Sequence, residues 1–243
     1  MSPTEGPASA ERPTTVEICV GDVPSALVAE GAGADRVELC ADLGQGGTTP
    51  SIGAVAVALR TLHRVGVRVM VRPRGGDFRV SEAEEQVMLA DIAALRALPN
   101  PHDLALGVVV GALTEQGDLD LPLLRRLVDA AGPLPVTVHK AFDEVADQFG
   151  ALEEIIALGA DAVLTSGAAP TALGGADRLA ALTEQAAGRL RVIAGGGVRA
   201  HNVREVVART RAREVHLRAP LHVARHESTD PTQIRNLITA LTS

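Results

Sequence analysis

The 243-residue sequence has no tryptophan, no tyrosine and only three phenylalanines. Modules that bind nucleic acid by stacking bases on aromatic rings are therefore not expected. With 46% of residues hydrophobic, the core must come from Ala, Val, Leu and Ile, and the chain is too apolar for a disordered one. Two cysteines are too few for a disulfide framework. Long apolar runs are also missing. Each is interrupted well before the about 18 residues that a spanning helix needs, so no membrane partner is expected. Nor is there a long run of one charge. The 23 basic and 30 acidic residues give a net charge of −7, which leaves no footprint for DNA, RNA or an anionic membrane. A metal ion or a small molecule is the better partner. The first residues, MSPTEGPASAERPTT, are polar and proline-rich with no apolar signal core. They read as a disordered tail over residues 1–14 of a cytoplasmic protein, with one domain over 15–243.

What the sequence does contain is a regular alternation. Short β-rich runs begin at Val16, Arg36, Arg68, Ala105, Val136, Ala162, Arg191 and Glu214. Successive starts lie 20 residues apart at the closest (Val16 to Arg36) and 37 at the farthest (Arg68 to Ala105), room for one helix and two loops each. Ser81 with Glu84 forms a capping-box pattern. Thr49-Pro50 and Asp230-Pro231 read as an N-cap followed by an N1 proline. Gly132, Gly159 and Gly188 sit where helices should end. Gly33-Ala34-Asp35-x-Val37 recurs as Gly159-Ala160-Asp161-x-Val163, four units later. Eight such units predict an α/β fold of the single-domain (β/α)8 TIM-barrel type. An open doubly wound sheet is the alternative.

Strand parity shows where the polar residues go. In the first run Val16, Ile18 and Val20 share one face, which should pack on the helices, so Glu17 and Cys19 face the barrel axis. The same reasoning sends Glu38, Cys40, Met70, Arg72, Thr137, His139, His216 and Arg218 inward. Barrel interiors are normally filled by Val, Ile and Leu, and buried charges must be paired or liganded. Glu17 and Glu38 would balance Arg72 and Arg74. Either these groups form a buried ion-pair filling, or they line a pocket at the C-terminal mouth.

Several motifs end these strands. Arg72-Pro73-Arg74-Gly75-Gly76-Asp77-Phe78 places two guanidiniums, suited to carboxylate or phosphate, at a tight turn. His139-Lys140-Ala141-Phe142-Asp143 could supply an acid, a base and an orienting group, with His139 and Asp143 the first choices. Ser166-Gly167 and Gly195-Gly196-Gly197 could cradle a phosphate with backbone N–H groups, or could simply form tight loops. Cys19 and Cys40, on neighbouring strands, could bind a soft ion such as Cu(I) or pack as small hydrophobes. Phe78 and Phe142 flank the candidate pocket as apolar walls, and Phe149 opens the next helix.

Taken in order, EICVGD (17–22), GADRVELCADLGQGGTTPS (33–51), VMVRPRGGDF (69–78), LPVTVHKAFD (134–143), LTSGAAPTALGG (164–175) and GGGV (195–198) resemble the CutC family, named for copper homeostasis. The resemblance implies a cytoplasmic barrel, often a homodimer, with a polar site at the strand ends and copper bound by Cys19 and Cys40. Family pocket positions match Glu17, Glu38, Arg72, Arg74, Asp77, His139 and Asp143. The chain departs from the family pattern at Lys140, where an Arg fork is usual, and at RAPLH (218–222). Two functions remain open: copper binding in homeostasis through the cysteines, and an enzyme acting on a small phosphorylated or carboxylated metabolite through the acid–base residues.

Overall fold

The computed structural model describes residues 14–223 and 226–242. The tail expected over residues 1–14 lies outside the described residues except for Thr14, which is buried. Eight parallel strands close into a barrel in sequence order: β1 (Thr15–Val20), β2 (Arg36–Leu39), β3 (Gly66–Met70), β4 (Leu106–Val110), β5 (Val136–Val138), β6 (Ala162–Thr165), β7 (Arg191–Gly195) and β8 (Glu214–Leu217). The helices are α1 (Val23–Gly31), α2 (Ile52–Thr61), α3 (Glu82–Arg96), α4 (Leu121–Ala131), α5 (Gln148–Leu158), α6 (Ala176–Ala186), α7 (Val203–Thr210) and α8 (Pro231–Thr242). The chain is thus a TIM barrel, and the open sheet is excluded by the β1–β8 pairing.

The apolar parity of each strand faces the helices. Val16, Ile18, Val37, Leu39, Val67, Val69, Val108 and Val110 are buried with Leu59, Ile92, Leu95, Leu127, Leu152, Ile155 and Leu179 in one shell between sheet and helices. The inward parity contributes only small apolar clusters: Cys19, Cys40, Met70 and Val109 in one, Ala162, Leu164 and Ile193 in another. The rest of the axis is polar.

Local signals explain most element boundaries. Ser81 and Glu84 make the reciprocal capping box of α3, and Gly132 and Gly159 end α4 and α5. The repeated Gly-Ala-Asp motif has a shared structural role. Asp35 accepts from the Val16 amide and Asp161 from the Val136 amide, each at 2.8 Å, so one carboxylate fixes the same strand pairing in each half-barrel. Thr49-Pro50 does not begin α2. Ser51 caps that helix through the Ala54 amide, because the Thr49 hydroxyl is committed to the Arg72 amide at 2.9 Å. The sequence reading also missed a hairpin, β9 (Pro220–Val223) with β10 (His226–Thr229), inserted after β8, which packs on α1.

Candidate functional site

The register of the barrel stacks ionisable side chains in tiers along its axis. Glu17 lies opposite Arg36 on β2 and His216 on β8. It accepts from Arg36 Nε and from His216 Nδ1 at 2.7 Å. The same guanidinium reaches Glu214 at 2.5 Å, and Arg191 reaches the other oxygen of Glu214 at 3.4 Å. Arg68 lies nearby and donates to the backbone carbonyl of Ala105 at 2.9 Å. Glu17 is therefore the hub of a closed ion-pair network, and its partner is Arg36 rather than Arg72 or Arg74. Burial alone would raise its pKa, but the charge of Arg36 and contact with His216 hold it down at about 2.

One tier toward the mouth lie the sulfurs. Cys19 Sγ and Cys40 Sγ are 3.9 Å apart, and Cys40 Sγ is 3.6 Å from Glu38 Oε2. The two sulfurs and a Glu38 oxygen all fall within 4.8 Å of one another. Cys40 keeps its proton: its contact with Cys19, burial and the Glu38 charge all push its pKa up. The hydrogen bond from Cys40, with help from His216 against burial, holds Cys19 well below the usual thiol range. Burial and Cys19 push Glu38 up, although His216, 3.8 Å away, opposes them. Two carboxylates on neighbouring strands thus have opposite proton affinities, the usual arrangement where acid and base roles are divided.

Above these groups opens a cavity of about 350 Å³, whose wall includes Cys19, Glu38, Met70, Arg72, His139 and His216. Lys140, Arg218, Phe78 and the β2–α2 loop complete it. His139 Nδ1 accepts the Ala141 amide at 3.1 Å, which places the ring proton of the neutral imidazole on Nε2. Burial, reinforced by the Arg72 charge, lowers the pKa of His139 to about 3. Arg72 packs its guanidinium 4.7 Å from the Phe78 ring centre and donates to the carbonyls of Gln45, Gly47 and Gly76. This ties the β2 and β3 loops together.

Several expected site residues lie elsewhere. Arg74 and Asp77 pair with each other at the surface, 2.9 Å apart, and Arg74 also bonds Glu84. Neither lines the cavity, because the Gly75-Gly76 turn carries them out to solvent. Asp143 is consumed by its own neighbourhood. It accepts from Ser166 N and Oγ, Ala168 N, Thr165 Oγ1 and Lys140 Nζ. Of the two N–H groups expected to cradle a phosphate, that of Ser166 thus already holds a carboxylate of the chain itself, and that of Gly167 donates to the Thr165 hydroxyl at 2.9 Å. Gly195 is glycine because a Cβ would lie 2.5 Å from Leu164. Gly196 (φ 111°) and Gly197 (φ 67°) let this loop pack on Thr171, and the Gly196 carbonyl accepts the Ala172 amide at 2.8 Å. These three glycines close a loop and do not line the cavity. Phe78 is a wall of the cavity, whereas Phe142 is buried in the shell between sheet and helices and Phe149 is exposed.

A CutC family model matches residues 14–220. The chain belongs to the CutC family. It is 47% identical over 204 residues to a CutC family protein of Parabacteroides distasonis, covering 84% of this chain and 82% of that one. It is 44% identical over 214 residues to a human relative called copper homeostasis protein cutC homolog, covering 88% and 76%. The crystal structure of CutC from Streptococcus agalactiae superposes with a TM-score of 0.77 at 31% identity, over 84% of this chain and 97% of that one. Copper homeostasis is thus attached to the family by name.

Within this CutC barrel the residues overlooked in the sequence share one signal. Arg36, Arg68 and Glu214 lie on the same strand parity as Glu17, Glu38 and His216, and register alone decides which pairs meet. Gly111, at the end of β4, is a further requirement. A Cβ there would lie 2.2 Å from the His139 ring. Gly111→Ala should cost about 1–3 kcal/mol by overpacking and tilt the imidazole, to be checked by thermal unfolding followed by far-UV circular dichroism. An unchanged midpoint would mean that the ring moves freely.

Proposed function

We propose that this CutC protein binds Cu(I) through Cys19 and Cys40 as part of copper homeostasis in the cytoplasm. The observation that carries the reading is the 3.9 Å sulfur–sulfur separation. With metal–sulfur bonds of about 2.3 Å, two ligand sulfurs stand about 3.8 Å apart at a tetrahedral angle and about 4.6 Å apart in a line. The pair already lies within that span, so a metal could be taken up with little strand movement. The donors are soft, and Met70 belongs to the same small buried cluster as both cysteines. Thiolate and thioether ligands select Cu(I). Both cysteines are free, which suits a reducing compartment. Among the described residues no helix is long and apolar enough to cross a membrane. Bound copper would supply a soft cationic centre whose single charge the Cys19 thiolate would meet; Cys40 would give up its proton on binding, with Glu38 Oε2 3.6 Å away to receive it.

The test is Cu(I) titration against a competing chelator. The Cys19→Ser/Cys40→Ser variant should lose at least about a hundredfold in affinity, more than the loss of an outer-shell partner usually causes. Met70→Leu, which preserves volume, should lose less. Equal affinity in wild type and the double variant, with both folded, would end the copper reading.

A further inference from the structure

Five buried side-chain nitrogen or oxygen atoms have no hydrogen-bond partner among the described residues, and three belong to residues of the cavity wall: Glu38 Oε1, Arg72 Nε and His139 Nε2. Native proteins rarely leave such atoms unpaired. Copper on the two sulfurs would satisfy none of the three. His139 and Arg72 are at least nine-tenths buried, at 4% and 8% exposure. They come from the ends of β5 and β3, and Phe78 touches both, with its ring centre 5.0 Å from the imidazole and 4.7 Å from the guanidinium carbon.

The three atoms have almost no open surface as the side chains stand, so a ligand in the cavity meets them once those side chains turn toward it, and they then specify its complement. His139 Nε2 carries a proton, since Nδ1 accepts from the Ala141 amide, so it needs an acceptor. Arg72 Nε also needs an acceptor. The other Arg72 nitrogens bond neutral carbonyls, which leave its charge uncompensated, whereas the charge of Lys140 is met by Asp143 at 2.7 Å and that of His216 by Glu17. Glu38 Oε1 needs a donor. A cavity of about 350 Å³ is at the small end of small-molecule sites.

We propose that the barrel mouth is a binding site for a small hydroxylated carboxylate, whose oxyanion meets His139 and Arg72 and whose hydroxyl meets Glu38. The neutral imidazole suits this role: it donates one fixed hydrogen bond and adds no second charge beside Arg72. Its lowered proton affinity keeps it in that form at neutral pH. The arrangement of a neutral histidine donor near a carboxylate also occurs in enzymes that polarise a substrate oxygen. The cysteines are not needed for it, and Glu38 Oε1 is a different oxygen from the Oε2 that lies beside Cys40.

The experiment is isothermal titration of chelator-treated, metal-free protein with glycolate, D-glycerate, glycerol 3-phosphate and inorganic phosphate, each separately. Saturable binding of glycolate or glycerate is expected. His139→Leu should weaken it about ten- to a hundredfold, the range for losing a hydrogen bond to a charged group, and His139→Gln, which restores a donor, should recover part of it. Lys140→Met, changed at a half-exposed position, provides a control, and Arg72→Lys a second variant if His139→Leu does not fold. Because Asp143 already meets the Lys140 charge, Lys140→Met should leave binding within about twofold, whereas Arg72→Lys, which keeps the charge and loses the fork, should weaken binding about tenfold or more; unchanged affinity in folded Arg72→Lys would overturn the site. Tighter binding of glycerol 3-phosphate than of either carboxylate would overturn the carboxylate assignment. Inorganic phosphate binding as well as the hydroxylated probes would overturn the role of Glu38. No saturable binding of any probe, or equal affinity in wild type and folded His139→Leu, would overturn the site.

Discussion

Replacing Arg36 with methionine should lower the unfolding free energy by about 3–5 kcal/mol, the usual loss when one member of a buried ion pair is removed. The guanidinium lies between Glu17 and Glu214, and all three side chains are buried. Without Arg36, Glu17 keeps only His216, and Glu214 keeps only the longer contact to Arg191. Each carboxylate would then have to stay charged in a low-dielectric setting or take up a proton. The direction of the present shifts agrees: burial lowers the Arg36 pKa, but its two acidic partners outweigh burial and raise it. Methionine keeps the length and flexibility of the stem, so the loss reports charge more than packing. Adding Glu17→Gln and Glu214→Gln to Arg36→Met should recover much of the stability, because a fully neutral filling avoids the desolvation penalty that the ions bear. Urea unfolding followed by far-UV circular dichroism suits a chain without tryptophan. A loss below about 1 kcal/mol for Arg36→Met, typical of exposed pairs, would show that water reaches the network and that it does not hold the barrel shut.

This network also marks where sequence reasoning stopped. The barrel was legible because its signals are local: strand parity, a capping box, glycine helix ends and a repeated Asp that fixes two strand starts in the same way. Inward placement of Glu17, Cys19, Glu38, Cys40, Arg72, His139 and His216 followed from parity alone. Pairing did not, because parity fixes the face of a strand and not the level along the axis. Glu17 was set against Arg72 and Arg74, yet the register puts Arg36 beside it, while Arg72 sits a tier higher and Arg74 leaves the barrel on a glycine turn. The glycine-rich strand ends lie away from the cavity for another reason. Backbone N–H groups there read as an anion site, and an anion does occupy those of Ser166 and Ala168, but it is the Asp143 carboxylate, brought back by the turn after β5. Composition and spacing carry no sign of such internal occupancy. The β9–β10 hairpin was hidden because its residues look like any loop between a strand and a helix.

His139 should make the protein lose stability as pH drops below about 6.5, while Glu38, whose raised proton affinity lets the folded barrel take up a proton before the unfolded chain does, works in the opposite direction, so the comparison is with a variant lacking the histidine alone. In the unfolded chain this residue takes up a proton near its ordinary pKa of 6.5. In the folded barrel, burial and the neighbouring Arg72 charge postpone that uptake to about 3. Between these values the unfolded state binds more protons, so each pH unit removes about 1.4 kcal/mol of stability as pH falls; above 6.5 the residue contributes no slope. Across the full window the loss is about 4 kcal/mol, of which about 2 kcal/mol falls between pH 6.5 and 4.5. The upper part of the window is the cleaner test. Glu17, held at about 2 against an ordinary 4.5, adds its own acid loss only as pH approaches and passes below 4.5. His139→Gln has nothing to titrate at this position and keeps amide hydrogen-bonding capacity. Denaturant unfolding of both proteins at pH 7.0, 6.0, 5.0 and 4.5, a set spanning about two units below the histidine value, should show the gap between them changing by about 2 kcal/mol toward the variant as pH falls. Parallel curves would mean that His139 protonates as readily in the folded barrel as in the unfolded chain. The imidazole would then not be the fixed neutral donor at the wall of the cavity.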